Sequence, residues 1–360
     1  MKKTMKKWMA LLCATAFAVG CTAGLTACDK GPDKDSASMS GGEAFNREVT
    51  VYMPDGAPAL AMAGLMYKDT ETDGVSYFVT KADGIAAKVT YKDEAQNADF
   101  CVMPLNAASK LLGDGSRYVM LGAVTHGNLY LISKSETVYT RENLSSLLGK
   151  KVGVLQINNV PGLTFKTVLN NCGIAWAETT NEGTVYEDKV NLVPITDATA
   201  VGTIEADCFV IAEPAATAQA KKGFHIVGDL QTLYGGENGY PQAVLVAKKA
   251  FVEEHSAWTG EFVESVKASM EWLKTATGTD IVATINGHLD DQERESDLKA
   301  SLLTAEVLGR CGVRYAQAAD CKDGAVALLQ EFVAINPTST MVPTDNFFWV
   351  KGFQQGLFGL

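Results

Sequence analysis

The sequence predicts an α/β protein of two lobes, each a mostly parallel sheet flanked by helices. Three observations carry this. Through the first two thirds of the chain, short apolar runs rich in β-branched residues alternate with helical patterns, as strands joined by helical crossovers do. Four of these units carry a proline where the strand gives way to a helix: Pro54, Pro104, Pro161 and Pro214. From Lys248 onward the pattern is helical almost to the end, and a stretch with no sheet of its own must pack on one formed earlier. One lobe is therefore expected from 48–128 with 243–360, and the other from 129–242.

The first 27 residues stand apart from the fold. Lys2, Lys3, Lys6 and Lys7 precede an apolar run over 8–19, too short for the roughly 20 residues of a spanning helix, so 1–27 reads as a signal peptide. It runs into Leu25-Thr26-Ala27-Cys28, which looks like a bacterial lipobox with Cys28 as the acylated first residue. Ala18-Val19-Gly20-Cys21 is a poorer candidate, and an ordinary cleaved signal is the alternative. Residues 28–47 are polar, small and aperiodic, a lipidated tether. The chain is expected to be exported and anchored by its lipid to the outer face of the bacterial cytoplasmic membrane.

The elements follow in order. Val49-Thr50-Val51-Tyr52-Met53 is a strand ended by Pro54; Asp55-Gly56 turns the chain and Pro58 opens an alanine- and leucine-rich helix. Residues 74–80 and 87–91 read as short strands. Residues 98–104 form a strand halted by Pro104, with a helix over 105–112. The run 118–124 leads through Thr125-His126-Gly127-Asn128 into 129–133, a strand that leaves one sheet for another. After Gly149-Lys150-Lys151, strand 152–155 passes through the loop 156–162 to a helix ending at Asn171. Phe165, Val168, Leu169 and Cys172 are that helix's core stripe. Strands recur at 190–195, 207–211 and 224–227; Asp197 caps a short helix to Glu205, and Pro214 opens another. The glycine-rich loop 234–241 returns into strand 242–247. Two helical stripes follow, one through Trp258, Phe262, Val263, Val266, Met270 and Leu273, the other through Ala325, Leu328, Leu329, Phe332 and Val333. Phe347-Phe348-Trp349 is expected to be packed.

Composition narrows the partners. The net charge is −11 and becomes −15 without the four leader lysines, 27 basic residues against 42 acidic. That balance excludes nucleic acid and anionic membrane surface as main partners. Past Cys28 the five cysteines Cys101, Cys172, Cys208, Cys311 and Cys321 contain no CxxC, against a zinc site or a dense disulfide framework. A Cys311–Cys321 disulfide remains open.

The lipobox, the loop 53–58, the segments 98–104 and 207–214, the run Gly149-Lys150-Lys151-Val152 to Cys172-Gly173-Ile174, and Tyr240-Pro241-Gln242 come in a characteristic order. In this the mature chain resembles substrate-binding lipoproteins of ABC importers, in the branch that includes sulfonate, nitrate and thiamine-precursor binders. The resemblance implies a type II periplasmic-binding-protein fold with two hinge crossings and a ligand trapped between lobes. It also implies a monomer that delivers its solute to an ABC permease and its ATPase. The crossings are expected near 125–129 and 240–243. A sensing lipoprotein without an importer, or an enzyme on the same fold, is the alternative. No GxSxG, P-loop or metal-spaced His/Glu pair is present, and the cysteine-rich iron motif of thiamine-pyrimidine synthases is missing. No cofactor or metal is expected.

Loops at the carboxyl ends of parallel strands would face one cleft. Asp55, Gly56, Ala57, Asn106, His126 and Asn128 are the candidates from the first lobe; Asn158, Asn159, Val160, Glu213, Tyr240 and Gln242 come from the second. Turn and cap roles compete for each polar one. None of the six arginines, Arg47, Arg117, Arg141, Arg294, Arg310 and Arg314, falls in these loops, and neither does any lysine. A doubly charged oxyanion calls for a guanidinium fork. Amides, tyrosines and carboxylates suit a neutral or cationic nitrogenous solute, such as a pyrimidine or vitamin precursor, with Asp55 or Glu213 accepting from its amino groups.

Overall fold

The computed structural model describes residues 48–68, 74–235 and 239–352; the leader, Cys21, Cys28 and the tether lie outside the described residues. In β1 (Val49–Pro54) the residues Val49, Val51 and Met53 are fully buried in alternation with half-buried neighbours, the period of a pleated strand. Helix α1 (Ala57–Lys68) then runs back along it, β2 (Val75–Thr80) pairs parallel beside it, and β3 (Phe100–Pro104) leads straight into α2 (Leu105–Leu112). Strand β4 (Tyr118–His126) is buried along its whole length.

Two residues later β5 (Leu129–Ser133) begins a second sheet. Its other members are β6 (Lys151–Leu155), followed by α3 (Val160–Asn171), then β7 (Trp176–Glu178), β8 (Val190–Ile195) and β9 (Cys208–Ala212). Helix α4 (Ala215–Ala220), β10 (His225–Asp229) and α5 (Leu230–Tyr234) complete it. The chain returns through β11 (Pro241–Lys248) into α6 (Lys249–Glu254), α7 (Ser256–Trp272), α8 (Gly278–Gly287), α9 (Ala305–Arg310), β12 (Val313–Gln317) and α10 (Ala318–Ile335). The first sheet has the order β12-β4-β11-β3-β1-β2 and the second β10-β5-β9-β6-β8-β7. Pairing is parallel over β2-β1-β3 and over β7-β8-β6-β9. Beside these, β11, β5 and their outer neighbours run antiparallel.

Three apolar clusters follow from this layering. One packs α1, α7 and α8 on the first sheet, with Phe100 in ring contact with Phe251, Trp258 and Phe262. A second covers one face of the second sheet around Tyr130, Ile132, Phe209 and Phe224. The third passes from Met103 and Met120 of the first sheet through α2 and α10 to α3, Val154 and Val210 of the second. Helix α10 thus packs on both bodies.

The structure corrects several expectations. Residues 87–91 form no strand: a 3-10 helix runs over Ala82–Val89 and buries Ile85 and Val89, four apart, a helical spacing. There Lys88 lies 4.8 Å from the Tyr52 ring centroid and 3.2 Å from Asp290. The cap at Asp197 serves only the single turn Ala198–Ala200. The C-terminal third is not all helix, since β12 adds an antiparallel edge to β4; Val313 and Tyr315 alternate with Arg314 in the strand period. Cys311 and Cys321 are free thiols, as are the other three described cysteines. Phe347 and Phe348 are buried and the Trp349 N–H bonds the Met120 carbonyl at 2.9 Å.

At the crossing of α1 and α7, Gly64 lets two backbones nearly touch. A Cβ there would stand 2.7 Å from Ser269 Cα, where the Ser269 hydroxyl accepts from Gly64 N–H at 2.8 Å and donates to the Ala61 carbonyl at 3.0 Å. Gly64→Ala should therefore lower stability in urea unfolding by about 1–3 kcal/mol, the range for overpacking a tight core.

Candidate functional site between the sheets

Register places the strand ends. In the first sheet Thr125 of β4, Ala243 of β11 and Pro104 of β3 lie side by side, and Pro54 of β1 pairs with Thr80 of β2 at the same end. In the second, Leu129 pairs with Ala212 and Leu155 with Ile195, which brings Glu213 and the loop after Leu155 to one edge. The two edges meet where the chain crosses at Gly127-Asn128 and again at Gly239-Tyr240. Here Gly127 N–H bonds the Tyr240 carbonyl at 3.0 Å and Glu213 N–H bonds the Asn128 carbonyl at 2.9 Å. Gly312, with φ +65°, packs so close that a Cβ would stand 2.0 Å from the His126 carbonyl.

Each expected residue has a definite place. Asn106 stands in the first turn of α2, 1% exposed; its Nδ2 donates to the Ser339 carbonyl at 3.4 Å. Asn128 is buried, donating from Nδ2 to the Glu213 carbonyl at 3.5 Å, while its backbone N–H bonds Gln242 Oε1 at 3.2 Å. The Oδ1 atoms of Asn106 and Asn128 and the Nδ1 of His126 are buried with no hydrogen-bond partner among the described residues. Unanswered buried polar atoms cost about 1–3 kcal/mol each; Thr164 Oγ1, Thr167 Oγ1, Arg294 Nε, Glu331 Oε2 and Trp349 Nε1 are the others among the described residues. Tyr240 is a packing residue: its ring meets Tyr234 edge-on at 5.4 Å and its hydroxyl donates to Gln231 Oε1 at 3.3 Å. Asn158 and Asn159 are exposed at the start of α3, beside buried Val160. Gly56 and Ala57 begin α1 behind Asp55.

Asp55 and Glu213 differ from expectation. The sequence leaves both free for a ligand, with no arginine at hand; each is held by an arginine from the C-terminal third. Asp55 accepts from Arg294 Nη1 at 2.9 Å, Ser296 Oγ at 2.7 Å, Asp297 N–H at 3.1 Å and Gly56 N–H at 2.8 Å. Glu213, whose side chain is fully buried, accepts from Arg310 Nε at 2.7 Å, Thr217 N–H at 3.0 Å and Thr217 Oγ1 at 2.8 Å. Burial works to lower the Arg310 pKa, but its bonds to Glu213 and Glu306 outweigh that and raise it.

The Glu213–Arg310 pair joins the two bodies, since Glu213 follows β9 and Arg310 ends α9. Tyr130 Oη donates to the Arg310 carbonyl at 3.3 Å, Lys221 Nζ to the Ser301 carbonyl at 3.0 Å, and Asn336 Nδ2 to Asn158 Oδ1 at 3.0 Å. The lobes are drawn together on both flanks. A cavity of about 520 Å³ opens elsewhere, beside β10. Its polar lining is committed to structure: Arg141 Nη1 donates to the Leu233 carbonyl at 2.5 Å and Asp229 Oδ1 caps α5 through Gln231 N–H at 2.8 Å. Among the described residues no group of three or more His, Cys, Asp or Glu could hold a metal ion.

Arg294, Ser296, Arg310 and Thr217 were missed by sequence reasoning. For Arg310 a signal existed: had 313–317 been read as a strand, Arg310-Cys311-Gly312 would have been its mouth. Arg294 is the single cation within Asp290-Asp291-Gln292-Glu293-Arg294-Glu295-Ser296-Asp297, and nothing local pairs it with Asp55.

No family model matches the sequence, and no curated protein matches it. The fold does have relatives among solved structures. An ABC transporter from Parabacteroides distasonis superposes with a TM-score of 0.64 at 17% identity, covering 84% of this chain and 99% of that one. The periplasmic aliphatic sulphonate binding protein SsuA from Escherichia coli matches with a TM-score of 0.58 at 15% identity, over 87% of this chain and 95% of its own. A cysteine-to-serine mutant of DSZB in complex with biphenyl-2-sulfinic acid gives 0.54 at 14%, over 84% and 96%. These likenesses establish the two-lobed periplasmic-binding-protein fold that the sequence resemblance implied.

Two outcomes test the site's electrostatics. Removing the Asp55 carboxylate strands a guanidinium that is 12% exposed, so Asp55→Ala should cost about 3–5 kcal/mol in chemical unfolding. Burial, with the Arg314 charge adding to it, pushes the His126 pKa down to about 3 against a bond to the Arg314 backbone. The unfolded ring binds a proton below its ordinary value of about 6.5 and the folded ring does not, so this residue makes stability fall as pH drops from 6.5 towards 3. Between pH 6.5 and 5 the loss should be about 2 kcal/mol, and it should vanish from the stability profile of His126→Phe.

Proposed function

We propose that the protein is the extracytoplasmic solute-binding component of an ABC importer, which captures a small organic molecule between its lobes by hinge closure. The observation that carries this reading is the group of buried, unanswered polar atoms on Asn106, His126 and Asn128. They lie where the strand ends of two sheets meet, on a fold shared with binding proteins of such systems. A ligand touching both bodies would stabilise their approach. Gly56, Ala57, Asn158, Asn159, Val160 and Gln242 would line the entrance, while Asp55, Glu213 and Tyr240 would position the walls. The partners of this role are an ABC permease and its ATPase, met by a monomer held to the membrane through a lipid on Cys28.

An enzyme on this fold has one point in its favour, the likeness to DSZB. The cysteines speak for binding instead. Burial pushes the Cys101 and Cys208 thiols up, Cys311 to about 12 and Cys321 to about 11, away from the thiolate that nucleophilic chemistry uses. Native mass spectrometry of the gently purified protein should find a bound small molecule, and X-ray scattering should show the protein expand when it is stripped and compact when it is restored. The ligand at 100 times its Kd should stabilise the fold by about 2.7 kcal/mol. Turnover of that molecule, or unchanged scattering with and without it, would sink the proposal.

A further inference from the structure

We infer that the interlobe cleft selects a solute presenting nitrogen-bound hydrogen-bond donors and disfavours a bare oxyanion. This rests on the binding role proposed above and names its ligand class. The unanswered atoms of Asn106, Asn128 and His126 are all acceptors, while Arg294 Nε, on the far side of the Asp55 pair, is an unanswered donor. Asn106 Nδ2 points at the Ser339 carbonyl and Asn128 Nδ2 at the Glu213 carbonyl. A carbonyl only accepts, so the amide nitrogens must face these partners and both Oδ1 atoms are left as the free ends. The ring of His126 is neutral at ordinary pH, and its backbone bond to Arg314 favours the charged form, which identifies that bond as an N–H donated by the ring. Its partnerless Nδ1 therefore carries a lone pair and no proton.

The strands that bear these groups are neighbours. Asn106 follows β3 and His126 ends β4, with β11 between them, so two strand spacings put their backbones roughly 10 Å apart. That span suits one small planar molecule.

Two of the four helix starts where an anion would settle are already taken. A helix start favours negative charge, but at the mouth of α1 the Gly56 N–H is bonded by Asp55, and in the first turn of α4 the Thr217 N–H is bonded by Glu213. The two guanidinium groups nearest the cleft, Arg294 and Arg310, pair with these same carboxylates. An oxyanion entering here would meet lone pairs on Asn106, Asn128 and His126, with the Arg310 fork engaged and Arg294 keeping only its Nε free. An amino, amidine, amide or ring N–H would meet acceptors there. The starts of α2 and α3 have no side-chain cap, and their N–H groups can take an acceptor elsewhere on the same ligand. An amino-heterocycle, with donors and acceptors around one ring, answers both.

The test is a thermal-shift comparison of the purified protein at pH 7.5 with two sets of probes. One holds N–H donors: cytosine, 4-aminopyrimidine, acetamidine and agmatine. The other holds oxyanions without N–H: methanesulfonate, ethanesulfonate and nitrate. The strongest binder is then titrated against Asn106→Leu and His126→Phe, each checked for folding by circular dichroism; the two residues sit on different elements, so one variant suffices if the other fails to fold. The expected result is a strongest binder from the first set, weakened at least tenfold by each folded variant. A strongest binder from the second set, with affinity unchanged or improved by loss of an acceptor, overturns this inference and leaves the binding role standing. No shift from either set, together with no compaction on adding any probe, counts against the binding role itself.

Discussion

The cleft is organised by the need to answer two buried carboxylates. Asp55 and Glu213 each end a strand and begin a helical segment, and each is taken out of water, a cost that only charged or multiple hydrogen-bonding partners offset. Asp55 is met by Arg294 and Ser296, 239 and 241 residues further along the chain. Glu213 is met by Arg310. The first pairing pins the segment after α8 to the mouth of α1. The second reaches across to the other lobe. A single kind of interaction thus serves both the folding of one body and the approach of two, and the late chain segments owe their placement to it.

That arrangement explains what the sequence made legible and what it did not. The strand–proline–helix units are local events: the strand period, a proline and an apolar helical stripe all lie within a few residues, so β1, β3, β6 and β9 and the helices after them could be read directly. The crossing at Gly127-Asn128 was legible for the same reason. Residues 87–91 alternate like a strand in sequence, while Lys88 sits in the 3-10 helix over Ala82–Val89, stacked on Tyr52 and paired with Asp290. Strand β12 was hidden in a helical third because it is five residues long with helices on either side. Its value lies in capping an edge of the first sheet, which no local pattern states.

The site was legible in its polar loops and illegible in its pairings. Asn106, His126 and Asn128 could be singled out as polar residues at strand ends, where turn and cap roles compete with a ligand for them. Their free atoms depend on partners such as Ser339 and Arg314 that sequence distance conceals. Asp55 and Glu213 have the same local look, and no local pattern states that Arg294 and Arg310 return to pair with them.

The energetics of closure follow from these partners. Drawing the lobes together gains the Glu213–Arg310 contact, but Arg310 is 27% exposed at its side chain and also pairs with exposed Glu306, so solvent discounts the gain. Against it stand three buried acceptors with nothing to accept, each costing about 1–3 kcal/mol. A closed state with those atoms unanswered is disfavoured by several kcal/mol relative to one in which they meet donors. A solute that supplied the donors would remove that penalty, and differential affinity for one of two states is what shifts a two-state equilibrium.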